Sequence, residues 1–424
     1  MAEWRLLSER RLVPLIGALM AGLLLSELDQ SMVAAALPSI VADLDGVGDL
    51  MWVNTSYLLA ATAVLPLYGA LGDRHGRRPV IIGALLAIMI GSVLGGLASD
   101  MAVLILARVV QGLGAGGMLV LVQASVADVL PVRDRAPVMS VIGAVFAAGA
   151  LGGPLIGGWL AEGPGWRWIF WINLPVGVIA LIACRRLLPR PEVSYPLPPV
   201  RAADLLPIRL FADRTFALVA VAGLVLGLAM FGSVGYLPTY LQLSLGLSPA
   251  EAGLWMLTLV AGLAVGTLGS ARVVSRTGVY RPLPITGAVL AAAALALLSQ
   301  LPGGVSVPVV GGCFVLLGLG IGLAWEVLVV MVQNTVSQER VGAATALNGF
   351  SREVGVLLGS ALVGGLVSAG LSAGSDPMTT FGGAFAGLAM VALVAAAMLL
   401  GVRRRPLSTS QPATGSLTAA MEER

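Results

Sequence analysis

Residues 69–79 read GALGDRHGRRP and join two long apolar stretches, 52–71 and 79–98. Each stretch is about 20 residues long, which is the length that an α-helix needs to cross the hydrocarbon layer of a membrane. The joining segment carries three arginines, and basic residues are concentrated on the cytoplasmic side of membrane proteins. The pattern therefore predicts two membrane-spanning helices connected by a short cytoplasmic loop.

The same pattern continues on both sides of this loop. Of the 424 residues, 58% are apolar and only 11% are charged, whereas a soluble domain carries about 25% charged residues. The composition excludes an ordinary soluble protein and predicts an all-α integral membrane protein with 12 transmembrane helices. The apolar stretches that define these helices are 12–38, 52–71, 79–98, 101–127, 137–161, 166–184, 216–243, 250–271, 282–300, 305–333, 341–370 and 380–402.

Arginine placement predicts how the helices are oriented. If the N-terminus is cytoplasmic, 22 of the 25 basic residues, all of them arginines, fall in cytoplasmic segments. Of the other three, Arg167 falls in an outer loop, and Arg108 and Arg352 fall inside apolar stretches. This asymmetry is typical of multi-pass proteins of the bacterial inner membrane. We expect both termini to be cytoplasmic and the first apolar stretch to be an uncleaved helix rather than a signal peptide.

A long polar segment divides the chain into two parts. We expect residues 1–184 to form one six-helix bundle, 185–215 a cytoplasmic linker, 216–402 a second bundle and 403–424 a disordered cytoplasmic tail. After the eighth helix, ARVVSRTGVYRP (residues 271–282) faintly repeats the pattern of residues 69–79. Duplicated six-helix halves are expected of many secondary transporters, so we predict two pseudo-symmetric bundles.

Several motifs resemble those of one transporter family. GALGDRHGRR resembles the loop signature of the major facilitator superfamily, LARVVQGLGAGG (106–117) its helix-four motif, and GALGGPLIGG (149–158) the helix-five motif of its antiporters. Three further segments resemble its drug:proton antiporter branch, namely ELDQSMVAAALP (27–38), WRWIFWINLPVG (166–177) and LPTYLQLSLGLSPAEAG (237–253). The resemblance implies the major facilitator fold and proton-coupled drug export. That branch usually has two extra helices where the 185–215 segment lies, so either the pair is dispensable or this is a shortened variant with impaired transport.

The loop at residues 69–79 has a physical interpretation of its own. Gly69 and Gly76 permit close helix approach and a tight turn. Asp73 can pair with an arginine or cap a neighbouring helix, and Arg74 and Arg77 hold the loop on the cytoplasmic side. The resemblance implies a gate latch between the halves in the outward-closed state. A topology anchor without a gating role is the alternative.

The fifth apolar stretch carries a stripe of small residues. Gly149, Gly153 and Gly157 recur every four residues and therefore share one helix face, and Pro154 beside them would weaken the local hydrogen-bond ladder. A neighbouring helix could press close and slide there. By resemblance this is the antiporter motif, and plain tight packing would look identical.

Four charged residues fall inside apolar stretches, namely Glu27, Asp29, Arg108 and Glu326. A charged side chain at the centre of a membrane helix costs roughly 2.5–3.5 kcal/mol on insertion scales. Such groups face an interior cavity, form ion pairs or take part in function. We expect Arg108 to pair with Asp29, which occupies the family's acidic position in helix one. Glu27 lies about 200° away around the helix, so one carboxylate should face the cavity and the other a neighbouring helix.

A proton-coupled exporter needs a carboxylate that alternates between environments. Burial favours the protonated form of a carboxylate and a nearby arginine favours the ionised form. The single histidine, His75, lies in a loop. Our hypothesis is that Asp29 and Glu326, with Glu27 as a third candidate, carry the proton and compete with substrate. A static ion pair of Asp29 with Arg108, and a role for Glu326 without titration, are the alternatives.

Other polar residues within the apolar stretches have two possible interpretations. Arg352 and Glu353 are adjacent, and such a pair of charged residues more often marks the cytoplasmic end of a helix than a functional site. A further set of polar residues has two interpretations: they line a substrate cavity, or they pack between helices or belong to a belt at the membrane interface. These residues are Asn54, Tyr57, Gln111, Tyr236 and Tyr240.

The function predicted first is export of amphipathic or cationic compounds in exchange for protons, by a monomer that needs no cofactor beyond the proton gradient. A metabolite, sugar or siderophore permease is the second possibility, and a membrane enzyme or sensor the third. The sequence shows no histidine–cysteine metal cluster and no phosphate-binding loop, and no basic patch for nucleic acid. We therefore expect a transporter and not an enzyme, whose partners are small amphipathic molecules, protons and the lipid bilayer.

Overall fold

The computed structural model describes residues 2–44, 50–130, 132–188 and 208–402, and the regular structure within these ranges is helical throughout. We number the helices α1 to α12, and consecutive segments separated by a short turn count as one helix. The first half comprises α1 Ala2–Leu44, α2 Leu50–His75, α3 Arg77–Gly96, α4 Met101–Ala115 with Met118–Val129, α5 Val132–Glu162, and α6 Trp168–Trp171 with Asn173–Leu187. The second half comprises α7 Arg214–Leu226 with Gly232–Val234 and Leu237–Leu245, α8 Pro249–Thr277, α9 Pro282–Ser299, α10 Val307–Gln333, α11 Val341–Ser372 and α12 Pro377–Leu400. A π-helical turn, Gly227–Phe231, lies within α7.

The helices have the length and composition of membrane spans. Eleven stretches of the described residues are long and apolar enough to cross a membrane. The helix outside this set is α5, which has 31 residues and whose described apolar stretch, Arg135–Phe146, is shorter. Large apolar side chains point outward, among them Leu155, Ile179 and Leu254, as expected for surfaces that lipid covers. The predicted all-α membrane fold is confirmed.

Local sequence explains where several helices begin and end. Asp100 accepts a hydrogen bond from the Val103 backbone N–H at the start of α4. At the start of α7, Asp213 accepts hydrogen bonds from the backbone N–H groups of Thr215 and Phe216. Ser248 opens α8 with a complete capping box. Gly278 ends α8 with a positive φ of 70°, which glycine adopts without steric cost. These caps satisfy backbone groups that helix ends leave unpaired.

Each half has a core of its own. Buried apolar side chains of α1–α6 form two clusters, and those of α7–α12 form a third. The clusters touch the opposite half at Ala136 of α5 and Val330 of α10. Most of the predicted linker (189–207) and all of the predicted tail (403–424) lie outside the described residues.

The halves meet closely at one end of the molecule, which we call the latch end because it carries the α2–α3 loop. A Cβ atom at Gly69 would collide with the carbonyl oxygen of Gly342 in α11, so the two backbones touch directly. Next to this crossing, a small apolar cluster links the halves, and we call it the interface plug: Leu65, Val120, Ala346 and Phe350. The closest approach thus depends on glycine, as is common between membrane helices.

Candidate functional site

Asp73 at the end of α2 caps α11 of the other half. Its Oδ1 accepts a hydrogen bond from the Gly342 backbone N–H at 2.9 Å, and its Oδ2 accepts one from Ala343 at 2.6 Å. The residue before α11, Arg340, supplies no side-chain cap. A carboxylate at a helix N-terminus satisfies unpaired N–H groups and interacts favourably with the helix dipole. The interaction therefore fastens the first half to the second.

Arg77 at the start of α3 supports this cap. Its Nη2 lies 2.5 Å from Asp73 Oδ1, and its Nε lies 2.9 Å from Oδ2 of Asp128 at the end of α4. Gly76 precedes it with a φ of 81°, which permits the sharp turn from α2 into α3. The Nε of Arg74, also predicted to belong to this motif, has no hydrogen-bond partner among the described residues. The charged core of the latch therefore joins α2, α3 and α4 to α11.

The engaged latch closes the end of the molecule to which it belongs. Asp73 can reach α11 only at the latch end, where Gly69 and Gly342 also meet. Under the predicted orientation this end is cytoplasmic. The engaged latch therefore belongs to a state in which the halves are closed at the latch end, and the outward-closed state that the resemblance implied stays a prediction.

The glycine stripe of α5 packs against α1. Added Cβ atoms would collide with Glu27 at Gly149, with Ser31 at Gly153 and with Met32 at Gly157. Ser31 Oγ also donates a hydrogen bond to the Gly149 carbonyl at 2.9 Å. The stripe thus seals two helices of the same half, as close packing of small residues allows. The side chain of Pro154 is not among those described.

Asp29 and Arg108 form a fully buried ion pair inside the first half. Arg108 Nη1 lies 2.7 Å from Asp29 Oδ2, and the side chains are 0% and 1% exposed, respectively. Asp29 Oδ1 also accepts hydrogen bonds from Gln111 Nε2 at 2.7 Å and from Asn173 Nδ2 at 2.5 Å. Ser92 accepts a second hydrogen bond from each amide. Both oxygens of this buried carboxylate therefore have hydrogen-bond donors, as buried polar groups require.

Tyr57 completes this network, and Asn54 lies apart from it. The Arg108 guanidinium is 4.2 Å from the Tyr57 ring centroid, a favourable cation–π distance. Asn54, three residues earlier on α2, is partly exposed, and its Oδ1 has no partner among the described residues. Asn173 was not singled out from the sequence, although a lone amide in the apolar run WRWIFWINLPVG was a usable signal.

Two of the predicted lining residues belong to the second half, and of these Tyr236 is partly exposed. Tyr240 is fully buried and packs edge-on against Phe381 and Phe385. This environment does not fit the proposed cavity-lining role, because the ring is enclosed by apolar side chains. The Tyr236 hydroxyl lies against Gly364 of α11, where an added Cβ would collide with it.

Glu27 faces the opposite way from Asp29. It is partly exposed, lies against Gly149 of α5 and interacts electrostatically with Glu353 of α11 in the second half. Glu353 is also partly exposed. Glu27 is therefore the helix-one carboxylate that faces the second half, while Asp29 faces α4 and α6.

Glu326 of α10 lies at the interface between the halves. It is 8% exposed, and its Oε2 accepts a hydrogen bond at 3.3 Å from Gln123 Nε2 of α4. Its hydrogen-bond network shares no residue with that of Asp29. The structure thus brings Asp29 and Arg108 together but places Glu326 elsewhere.

A second polar contact between the halves lies nearer the latch end. Arg135 Nη1 of α5 donates to Gln333 Oε1 of α10 at 3.1 Å, and Gln333 Nε2 donates to the Gln123 carbonyl and to Thr345 Oγ1. Sequence reasoning counted Arg135 among the loop arginines and did not consider Gln333. In the structure Arg135 is buried and also donates to backbone carbonyls of its own half.

Arg352 is buried three turns inside α11, not at its end. Only 2% of the residue is exposed, its Nη1 donates to the Trp325 carbonyl at 3.4 Å, and the guanidinium lies 3.9 Å from the Trp325 ring centroid. Among the described residues, no carboxylate lies within ion-pair distance of it. The expectation that Arg352 marks the cytoplasmic end of the helix is therefore wrong.

A surface ion pair marks the end opposite the latch. Asp43, beyond the apolar part of α1, lies 2.7 Å from Arg167, and the two side chains are 49% and 39% exposed. Hydrogen bonds from Arg167 and from the Trp166 indole hold the pKa of Asp43 below its ordinary value. The pair joins α1 to the start of α6.

Comparisons with known proteins point to one family. The model of the Major Facilitator Superfamily matches residues 19–360. An uncharacterised MFS-type transporter of Mycobacterium tuberculosis is 36% identical over 413 residues, which cover 85% of this chain and 60% of that protein. Multidrug transporter protein MdtP of Bacillus subtilis is 29% identical, over 84% of this chain and 75% of that protein.

The architecture also matches solved structures. The proton:xylose symporter XylE superimposes with a TM-score of 0.74 at 15% identity, over 96% of this chain and 98% of that one. At this identity the likeness shows the fold alone. The chain spans about 60% of the length of the mycobacterial relative.

Proposed function

Since this chain belongs to the major facilitator superfamily, whose members are membrane transporters and not enzymes, we propose that it exports amphipathic or cationic drugs in exchange for protons. It works by alternating access as a monomer in the bacterial inner membrane, with both termini in the cytoplasm. The proton gradient supplies the energy, so no cofactor is needed. The name of the multidrug relative MdtP supports the cargo class.

The position of Glu326 is the observation that carries the proposal. Its carboxylate belongs to the second half, and its hydrogen-bond partner Gln123 belongs to the first. When the halves separate at the latch end, this carboxylate must change its surroundings. A carboxylate whose surroundings alternate between states can take up a proton in one state and release it in the other.

The charges near the interface support a cationic cargo. Three carboxylates, those of Glu27, Glu326 and Glu353, lie near the interface together with two guanidinium groups, that of Arg352 and, nearer the latch end, that of Arg135. The Asp29–Arg108 pair adds no net charge. A surplus of negative charge in a low-dielectric setting attracts cations.

Each candidate carboxylate has a distinct place in the mechanism. Glu326 and Glu27 lie where the halves face each other and are the sites at which proton and cargo compete. Asp29 couples to them indirectly, because it holds α1, α4 and α6 in one arrangement through Arg108 and Asn173. The engaged latch corresponds to the step in which cargo leaves towards the outside.

The test is transport by the full chain in proteoliposomes. We expect an imposed pH gradient to drive uptake of cationic dyes without ATP, and a protonophore to abolish it. Neutral dyes and sugars serve as the comparison cargo. Transport driven by a sodium gradient, or selective transport of a sugar, would contradict the proposal.

The matched variants are Glu326→Gln at the interface and Glu339→Gln on the exposed turn before α11. We expect Glu326→Gln to abolish proton-driven transport while dye-for-dye exchange persists, because exchange needs no net proton movement. Glu339→Gln should retain both. Proton-driven transport that survives in Glu326→Gln would remove this residue from the coupling mechanism.

A further inference from the structure

The second half contains two buried polar groups that the closed state leaves poorly satisfied. The Nε of Arg352 has no hydrogen-bond partner among the described residues, and neither amide atom of Asn348 has one. Asn348 is 0% exposed. The two side chains lie four residues apart on α11, on the face that packs against Gly223 of α7. Buried groups without partners cost free energy, and in native proteins they often mark an element that takes part in function.

Glu326 lies close to this guanidinium. Arg352 contacts both the ring and the carbonyl oxygen of Trp325, the residue directly before Glu326. Glu326 and Arg352 interact electrostatically, although they form no ion pair. Their side chains belong to neighbouring helices of the same half. Arg352 and Glu326 therefore stay near each other when the two halves move apart.

The partner of Glu326 in the closed state belongs to the other half. Gln123 Nε2 holds its Oε2 at 3.3 Å, and Gly143 of α5 lies beside its Cγ. In the described part of the chain, the charged group that interacts electrostatically with Glu326 is Arg352. Arg352 also interacts electrostatically with Glu353. When the latch end opens, Gln123 and α5 move away with the first half, and Arg352 stays.

We propose that Glu326 exchanges Gln123 for Arg352 when the latch end opens, which makes Arg352 a positioning residue for proton release. The inference rests on the proposed function, and it names the group that receives the carboxylate. A neutral amide tolerates a protonated carboxyl group, whereas a guanidinium stabilises the ionised one. The proton therefore leaves Glu326 as the latch end opens, on the side where the latch lies. The new ion pair also satisfies Arg352, so the same step removes part of the cost paid in the closed state.

The experiment measures how opening of the latch end depends on pH. A single cysteine at Leu65, in the interface plug, is placed in a background in which Cys184 and Cys313 are replaced by alanine. In the full chain in proteoliposomes, a membrane-impermeant maleimide labels this cysteine, and its rate at each pH is divided by the rate for the same protein unfolded at that pH, because only the thiolate reacts. We expect this normalised labelling rate, which reports exposure of the plug, to rise with pH, because ionised Glu326 favours the open state.

The variants that test the partner are Arg352→Gln and Arg352→Lys, with Arg167→Gln as the control. Loss of the guanidinium should reduce the pH-dependent part of the labelling by about tenfold, within the usual range of coupling between sites. Arg352→Lys should restore the pH dependence, because it keeps a positive charge. Arg167→Gln should behave as the parent. The double variant Glu326→Gln/Arg352→Gln removes both charges of this pair and should be as insensitive to pH as Glu326→Gln.

The following outcomes test the inference and distinguish its failure from failure of the proposed function. A pH profile for Arg352→Gln equal to that of the parent would overturn the inference, as would the same loss in Arg352→Lys as in Arg352→Gln. If Arg352→Gln does not fold, the double variant Glu326→Gln/Arg352→Gln is measured instead. A pH profile of this variant equal to that of the parent would also overturn the inference. Proton-driven dye transport by the parent combined with an unchanged Arg352→Gln profile would reject the inference and leave the proposed function standing. The reverse result, partner exchange without proton-driven transport, would reject the function instead.

Discussion

The carboxylate of Asp73 lies 2.6 Å from the backbone nitrogen of Ala343, a residue 270 positions further along the chain. The first residue closes α2 of one half, and the second opens α11 of the other. A helix N-terminus carries unpaired N–H groups and a partial positive charge, and α11 has no cap of its own. The halves are therefore held together by a helix cap supplied across the interface.

Replacing Asp73 by Asn should open the latch end more often. Loss of the negative charge removes an interaction with the α11 dipole worth about 0.3–1 kcal/mol, and Arg77 also loses one of its two carboxylate partners. We expect faster maleimide labelling of a cysteine at Leu65 and a shift of dye binding towards the latch side.

Asp100→Asn provides the matched control. Asp100 caps α4 through the Val103 N–H within the first half, so this change should leave the labelling rate unaltered. Equal labelling in the two variants would show that Asp73 caps α11 without holding the halves together.

The glycine stripe makes a prediction about stability. An added Cβ at Gly153 would meet Ser31 of α1, whereas nothing lies within 4 Å of one at Gly158. Overpacking costs about 1–3 kcal/mol, and alanine favours a helix over glycine by about 1 kcal/mol. Gly153→Ala should therefore lower the melting temperature in detergent, and Gly158→Ala should leave it unchanged or raise it. Similar melting temperatures for the two variants would indicate that α1 can move away from α5 at Ser31 with little loss of stability.

Features set by composition and local energetics could be predicted from the sequence. The membrane fold follows from apolar stretches long enough to span a bilayer. The pairing of Arg108 with a carboxylate follows from the cost of isolated charges in a membrane, and the choice of Asp29 came from the resemblance to the family's acidic position in helix one. Glu27 and Asp29 face different ways, as their separation around one helix requires.

Features that depend on how the helices pack against one another could not be predicted in the same way. Arg135 contacts Gln333, and Tyr240 packs against Phe381, because of how whole helices lie beside one another. A local pattern shows which residues share a helix face but not which neighbour that face meets. The start of α11 at Val341 agrees with the predicted stretch 341–370, and Arg352 was misjudged because charged residues usually mark helix ends.

The ion pair between Asp43 and Arg167 predicts a small dependence of stability on pH. Arg167 lowers the pKa of Asp43 in the folded state, so the pair stabilises the fold above the ordinary aspartate pKa of about 3.9. This contribution is lost as the pH falls through the lowered pKa. Since both side chains are about half exposed, we expect less than about 1 kcal/mol, screened by salt.

Thermal unfolding of the parent and of Asp43→Asn, at pH 7 and in acid, measures this contribution. The two proteins should differ at pH 7 in low salt and converge in acid. Arg167→Gln should reproduce the effect of Asp43→Asn. A difference that grows as the pH falls would reverse the sign argued here.

In the first half, we expect replacement of Asp29 to have the largest effect on both stability and transport. In Asp29→Asn, Arg108 would remain fully buried without its carboxylate, and breaking a buried pair in this way costs about 3–5 kcal/mol. Asparagine keeps a single side-chain oxygen, so either Arg108 or the two amides of Asn173 and Gln111 would meet an NH2 donor in place of an acceptor. We expect a lower melting temperature together with loss of drug-dependent proton flux. The double variant Asp29→Asn/Arg108→Gln removes both charges and should recover stability, and flux measured in it then separates a structural role from a role in coupling. Unchanged proton flux in either variant would exclude Asp29 from the transport mechanism and leave it as a static brace between α1 and α4.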